Sequence, residues 1–222
     1  MSFISHIVGP RVDHAELEKH SFRYGAPKFL LLIARVLLLV ALFVPFWSME
    51  LVAPQYPENL HLVAYVNHLA GDVGEINSLN HYIGMRPLEE AAKIERTVGV
   101  YIMILFVVML EFASWIHSRW TVILVLPVLT FPAVFLIDLY LWMSHFGMNL
   151  DQDAPLSNSI EPFVPPILGS GFIGQFETIA RPGPGLILST IASGFMIVAL
   201  FFHWRAYSPL VKAQNAAKKA AA

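Results

Sequence analysis

The sequence predicts an all-α membrane protein, with four transmembrane helices and two ordered sections outside the membrane, the first containing an amphipathic helix. Three observations predict it. Hydrophobic residues make up 56% of the 222 and charged ones only 14%, with a mean hydropathy of +0.61, above what a soluble domain of this size carries. The apolar residues gather in four segments, each roughly long enough at 1.5 Å per residue to cross a ~30 Å hydrocarbon core. Cysteine is absent, which removes disulfides, thiolate metal sites and Fe–S ligation. The net charge of −2 and the small basic clusters give no footprint for nucleic acid, so the expected surroundings are the lipid bilayer and other protein subunits.

Residues 1–28 are polar and mixed in charge, unlike the short basic start of a secretory signal. They read as a cytoplasmic segment, and the first apolar run is expected to stay as an anchor. The membrane domain spans 29–204. Its first segment, Phe29 to Trp47, carries Arg35, whose stem can snorkel to the near surface, and ends on Pro45 and Trp47 at the far interface. The first outer section, 48–97, opens with Ala53-Pro54-Gln55-Tyr56-Pro57, an extended or turn entry. At its end, Pro87 begins a helix that should run into segment two without a break.

Segment two, Val98 to Ile116, holds Glu111, expected to snorkel or pair with Arg119. Segment three, Trp120 to Met143, contains Pro127, Pro132 and Asp138, which predicts a kink and no break. The second outer section, 144–185, is rich in Pro and Gly and reads as an ordered, irregular loop, with Gly169-Ser170-Gly171 as a turn. Segment four, Leu186 to Trp204, leads into a cytoplasmic tail over 205–222. Lys19, Arg23, Lys28, Arg119, Arg205 and Lys212 lie on one side under this threading. Basic loops face the cytoplasm, which places both termini inside and both outer sections outside. In a bacterium that is the periplasmic face of the inner membrane.

Chemistry concentrates in His61 to Met85, which holds three of the nine histidines. On a helix, His61, His68, Asp72 and Glu75 fall within about 60° of one another. Leu62, Val63, Val66, Leu69, Val73 and Ile76 take the other side. His81 and Met85 then stand i, i+4 in Asn80-His81-Tyr82-Ile83-Gly84-Met85, and His145 with Met148 opens the second section. Without thiolates, imidazoles and thioethers suit copper, whereas imidazoles with carboxylates suit zinc, manganese or iron.

The candidate metal ligands are therefore His61, His68, His81, Met85, His145 and Met148. Asp72, Glu75 and Asp138 are the carboxylates that could orient them. The plainer alternative makes these the wet face of an amphipathic helix, with Met85 filling a gap.

Asp138 lies about five residues, roughly 8 Å, inside the outer end of segment three and needs a partner there. His145, seven residues on, shares its helix face; an interhelical hydrogen bond would also serve. A proton path between Asp138 and Glu111 has no intramembrane Lys, Arg or His to bridge it. The apolar cores contain no histidine, which disfavours intramembrane heme. Ser-His-Asp catalysis, phosphate loops and dinucleotide fingerprints find no motif.

Ala53-Pro54-Gln55-Tyr56-Pro57, Gly71-Asp72 and Ile76 through Met85 together resemble an uncharacterised family of small four-helix bacterial inner-membrane proteins. That family is associated with copper handling and nitrous-oxide-reductase maturation. Asn149-Leu150-Asp151, Ala154-Pro155 and Pro165 through Gly169 are similar to its second outer loop. Met148 stands where the family pattern has a histidine, which exchanges an imidazole for a thioether.

The resemblance implies metal handling at the periplasmic face. The sequence thus supports a copper-binding protein acting in metal delivery or metalloenzyme maturation. The alternative is a non-catalytic accessory subunit of a larger respiratory, photosynthetic or monooxygenase complex. An enzymatic role comes third.

Overall fold

The computed structural model of the protein describes residues 8–10, 12–156, 159–173 and 176–220. Four of its helices are long and apolar enough to cross a membrane. It also holds a five-stranded antiparallel sheet, so the all-α expectation is corrected to a helical membrane protein carrying a sheet. In order, the elements are α1 (His14–Lys19), α2 (Ser21–Ala41), β1 (Trp47–Val52), β2 (Leu60–Ala64), β3 (Leu69–Gly71), α3 (Val73–Ile83), a 3₁₀ turn (Leu88–Glu90), α4 (Lys93–Ala113), α5 (Trp120–Met148), β4 (Gly169–Ile173), β5 (Phe176–Pro182) and α6 (Pro184–Ala220).

The four long helices keep apolar residues all round, as membrane helices do. On α2, Leu31, Ala34, Leu38 and Ala41 are buried at helical spacing while Leu32, Val36, Leu39 and Val40 stay exposed. On α6 the buried stripe is small: Ser189, Ala192, Ala199 and Ala206, with Met196 among them. Small residues let helix backbones approach where no water drives packing. α5 runs unbroken through Pro127 and Pro132, and Ser193 Oγ donates to the Leu129 carbonyl at 3.0 Å.

Two compact units divide the chain. The helical unit comprises Met1–Leu39, Met103–Phe131 and Leu188–Ala222; the sheet unit comprises Val40–Ile102 and Pro132–Ile187. In the helical unit, Tyr24, Ala206 and Tyr207 form a buried cluster covered by Val12, Leu17 and Leu210.

The strand order in the sheet unit is β3-β2-β1-β5-β4. Segment one ends as a helix at Ala41, short of the expected Trp47, because Pro45 cannot continue it. The chain then alternates: Trp47, Met49 and Leu51 point inward, Ser48 and Glu50 outward. Across the ladder, Met49 stands opposite Leu62 on β2 and Ala180 on β5, so Trp47, Met49, Leu51, Leu60, Leu62 and Ala180 share one buried face. Against it pack Ile76 and Leu79 of α3 and Phe135, Leu139 and Met143 of α5. Two turns around Ala53 to Asn59 join β1 to β2, closed by Tyr56 N–H to Ala53 O at 2.9 Å and Asn59 N–H to Tyr56 O at 3.0 Å.

The predicted helix over the first half of His61 to Met85 is therefore overturned. β2, a turn and β3 occupy it, and Gly71, with φ +91°, lies so close to the His61 carbonyl that a Cβ would strike it. Asp72 fastens this hairpin from both ends. Its carboxylate accepts the His61 N–H at 2.8 Å, and its own N–H donates to the His61 carbonyl at 2.7 Å. Helix begins only at Val73. The expected helix from Pro87 into segment two is also interrupted: Ala91 is extended and Ala92 left-handed, while Arg96 donates to the Ala91 carbonyl at 2.9 Å. The second outer section is likewise more regular than its composition suggests, since Gly169-Ser170-Gly171 lies in β4 rather than a turn.

Candidate functional site

α3 ends in a pattern that places two side chains together. Gly84 takes φ +80°, its N–H points back to the His81 carbonyl at 3.4 Å, and the Met85 N–H donates to the Asn80 carbonyl at 2.8 Å. These are the two bonds of a Schellman helix end, which brings the residue after the glycine against the one four before it. Here the two are Met85 and Asn80. Gly84 is also required by space, because a Cβ would sit 2.5 Å from the Asp151 carbonyl oxygen. The Asp151 N–H donates to the Gly84 carbonyl at 2.8 Å and the Leu156 N–H to the Tyr82 carbonyl at 2.9 Å, so this helix end is the platform on which the second outer section lies.

Asn80 and Met85 open onto a cavity of about 40 Å³ inside the sheet unit. That is room for one or two waters or an ion. Met49 and Leu51 of β1, Ile76, Leu79 and Ile83 of α3, and Met143 of α5 complete its walls with Leu88, Phe163, Pro165, Ile173 and Phe176. Three methionines, each buried, and one asparagine are among the residues that line it. Asn80 is 8% exposed and its Nδ2 has no hydrogen-bond partner.

Of the predicted ligands, Met85 is the buried one that lines this cavity. His61 faces outward from β2, opposite Glu50 on the other side of the sheet from Met49. His68 is exposed in the β2–β3 turn, its ring stacked on Tyr65 at 4.4 Å. His81 and His145 are exposed, the latter beside Asn149 with 3.3 Å between Nδ1 and Nδ2. Met148 is 52% exposed. Asp72 is engaged by backbone, Glu75 is exposed in the first turn of α3, and Asp138 takes its hydrogen bond from Trp142 rather than His145. Among the described residues, no three of His, Cys, Asp and Glu come together as a metal-holding group.

Met49 and Met143 were not among the sequence candidates. The alternation Trp47-Met49-Leu51 is the signal that would have turned Met49 inward; nothing local marks Met143.

The helical unit holds a second set of interacting polar groups. Glu111 pairs with Arg35 rather than with the expected Arg119, and its Oε1 also accepts from Trp115 Nε1 at 2.8 Å. His117 and His203 both lie against Tyr207, at ring separations of 4.4 and 4.8 Å. His203 Nε2 stands 2.9 Å from the Ile116 carbonyl and His117 Nδ1 3.3 Å from that of Pro10. Burial, followed by the nearby Lys28 charge, holds the His117 pKa below its ordinary value. These groups largely satisfy one another. No protein-family model and no curated protein matches the sequence.

Proposed function

We propose that the chain is a multi-pass protein of the bacterial inner membrane, termini in the cytoplasm, whose sheet unit binds copper at the periplasmic face for delivery to, or maturation of, a metalloenzyme. The observation that carries the reading is the cavity that Met85 lines together with two further methionines in a cysteine-free chain. Thioethers are soft ligands that favour copper over zinc, magnesium or calcium. The loop charges and the family resemblance support the orientation and the setting. Purified in mild detergent and loaded with copper, the native chain should retain about one equivalent by mass spectrometry and the Met85→Leu variant less; an empty native chain would sink the proposal.

A second reading, an accessory subunit of a larger membrane complex, is favoured by one feature. From Pro162 to Phe176 the sequence has no charged residue, and within it Val164 and Leu168 are exposed ahead of edge strand β4 and Phe172 is 74% exposed within it. Edge strands are normally protected by charge or proline within the strand. Phe172→Lys should release any partner that co-purifies with the native chain and leave copper content unchanged.

A further inference from the structure

We infer that the cavity is a copper(I) site built from the thioethers of Met49, Met85 and Met143, with the Asn80 amide as its polar contact and no imidazole among its ligands. The inference rests on the copper reading above and adds the oxidation state and the donor set.

The Schellman helix end supplies the first argument. Its two paired positions ordinarily carry apolar side chains that touch. This chain keeps Met85 at one and sets an amide, Asn80, at the other, nine-tenths buried and with Nδ2 unpartnered. A leucine there would satisfy the helix end and remove an uncompensated buried donor. The second argument is independent of that helix: the other two methionines come from β1 and α5, elements remote in sequence, and line the same small volume.

Charge and softness then select the ion. A divalent ion would bring two charges into a space whose lining has no carboxylate to offset them. Copper(I) brings one, and thioether sulfur is the donor it prefers. The amide can turn by 180° to present its oxygen in place of its NH₂, since the two ends are nearly equal in shape. Binding involves no redox step: the ion enters and remains as copper(I).

A thioether has no proton to release, so affinity at this site is independent of pH. An imidazole site would weaken as pH falls below about 6.5. The experiment uses the full chain in detergent under reducing, anaerobic conditions, with copper(I) competed against a chromophoric chelator at about pH 5.5 and pH 8, and X-ray absorption on the complex. Met49→Leu/Met85→Leu/Met143→Leu nearly conserves volume and keeps the fold; His61→Ala/His68→Ala/His81→Ala/His145→Ala removes the imidazoles.

We expect sulfur scatterers, equal affinity at both pH values, loss of copper in the methionine variant and retention in the histidine variant. Asn80→Leu should weaken binding about tenfold. Copper held by imidazole scatterers, kept by the methionine variant and lost at low pH, overturns this inference while leaving copper handling intact. A native chain that binds no copper overturns both.

Discussion

The two units bury polar groups in opposite ways. In the helical unit His117, His203, Tyr24, Tyr207, Arg35 and Glu111 lean on one another or on backbone carbonyls. His117 Nε2 and Arg35 Nε lack partners, yet each group is anchored through another nitrogen. The sheet unit packs Trp47, Met49, Leu51, Leu60, Leu62 and Ile76 within, and among the described residues Asn80 carries its buried side-chain nitrogen without a hydrogen-bond partner. The polar groups of the helical unit have thus already used each other. The sheet unit leaves Asn80 and three methionines lining an open volume, which is where a ligand gains most.

The contrast can be broken most strongly at Gly84. Gly84→Val puts a branched side chain at positive φ and against the Asp151 backbone, and should cost about 2–4 kcal/mol. Proteolysis of the second outer section should accelerate; an unchanged cleavage rate would remove Gly84 as its platform. Next, Glu111→Leu leaves the mostly buried Arg35 without its counter-charge. A loss of about 2 kcal/mol in detergent melting is expected, recovered when Arg35→Met is added. Failure of the second change to restore stability would show that packing, not charge, dominates there.

Asn80→Leu should move the other way, raising metal-free stability by about 1 kcal/mol. A decrease would mean the amide has a structural partner. His117 tests the helical unit by pH. Its folded pKa is depressed, so the unfolded chain takes up the proton first and stability falls as pH drops below about 6.5. Melting at about pH 7.5 and 5.5 should show this slope in the native chain and a smaller one in His117→Phe. Last, His61→Ala on the outward sheet face should stay within about 0.5 kcal/mol of native, as thermal melting would show.

Apolar length made the four membrane helices legible, and their approximate positions agree with the structure. The sheet was not legible, because three of its strands are short and the spacing of His61, His68, Asp72 and Glu75 imitates a helical stripe. Period alone cannot arbitrate there: Leu60 and Leu62 alternate, while Ile76, Leu79 and Ile83 do have helical spacing and mark the true α3. The site was half visible. Met85 lies in the Asn80–Met85 motif and is legible as a ligand candidate, whereas His81, its partner at i, i+4, is turned outward by the helix. Met49 and Met143 join only through strand register and helix packing, neither of which a single sequence reveals.

The strand order has a consequence in time. β1 pairs on one side with β2, its near neighbour in sequence, and on the other with β5, where Trp47 meets Pro182 after roughly 130 further residues. At 5–20 residues per second, β1 waits about 7–26 s for its second neighbour, while two more membrane helices are made. Until then the strand carrying Met49 is an open edge with the Ala180 side of its ladder missing. The cavity is therefore one of the last features of the molecule to exist, and a newly made chain lacks it until β5 has closed the sheet.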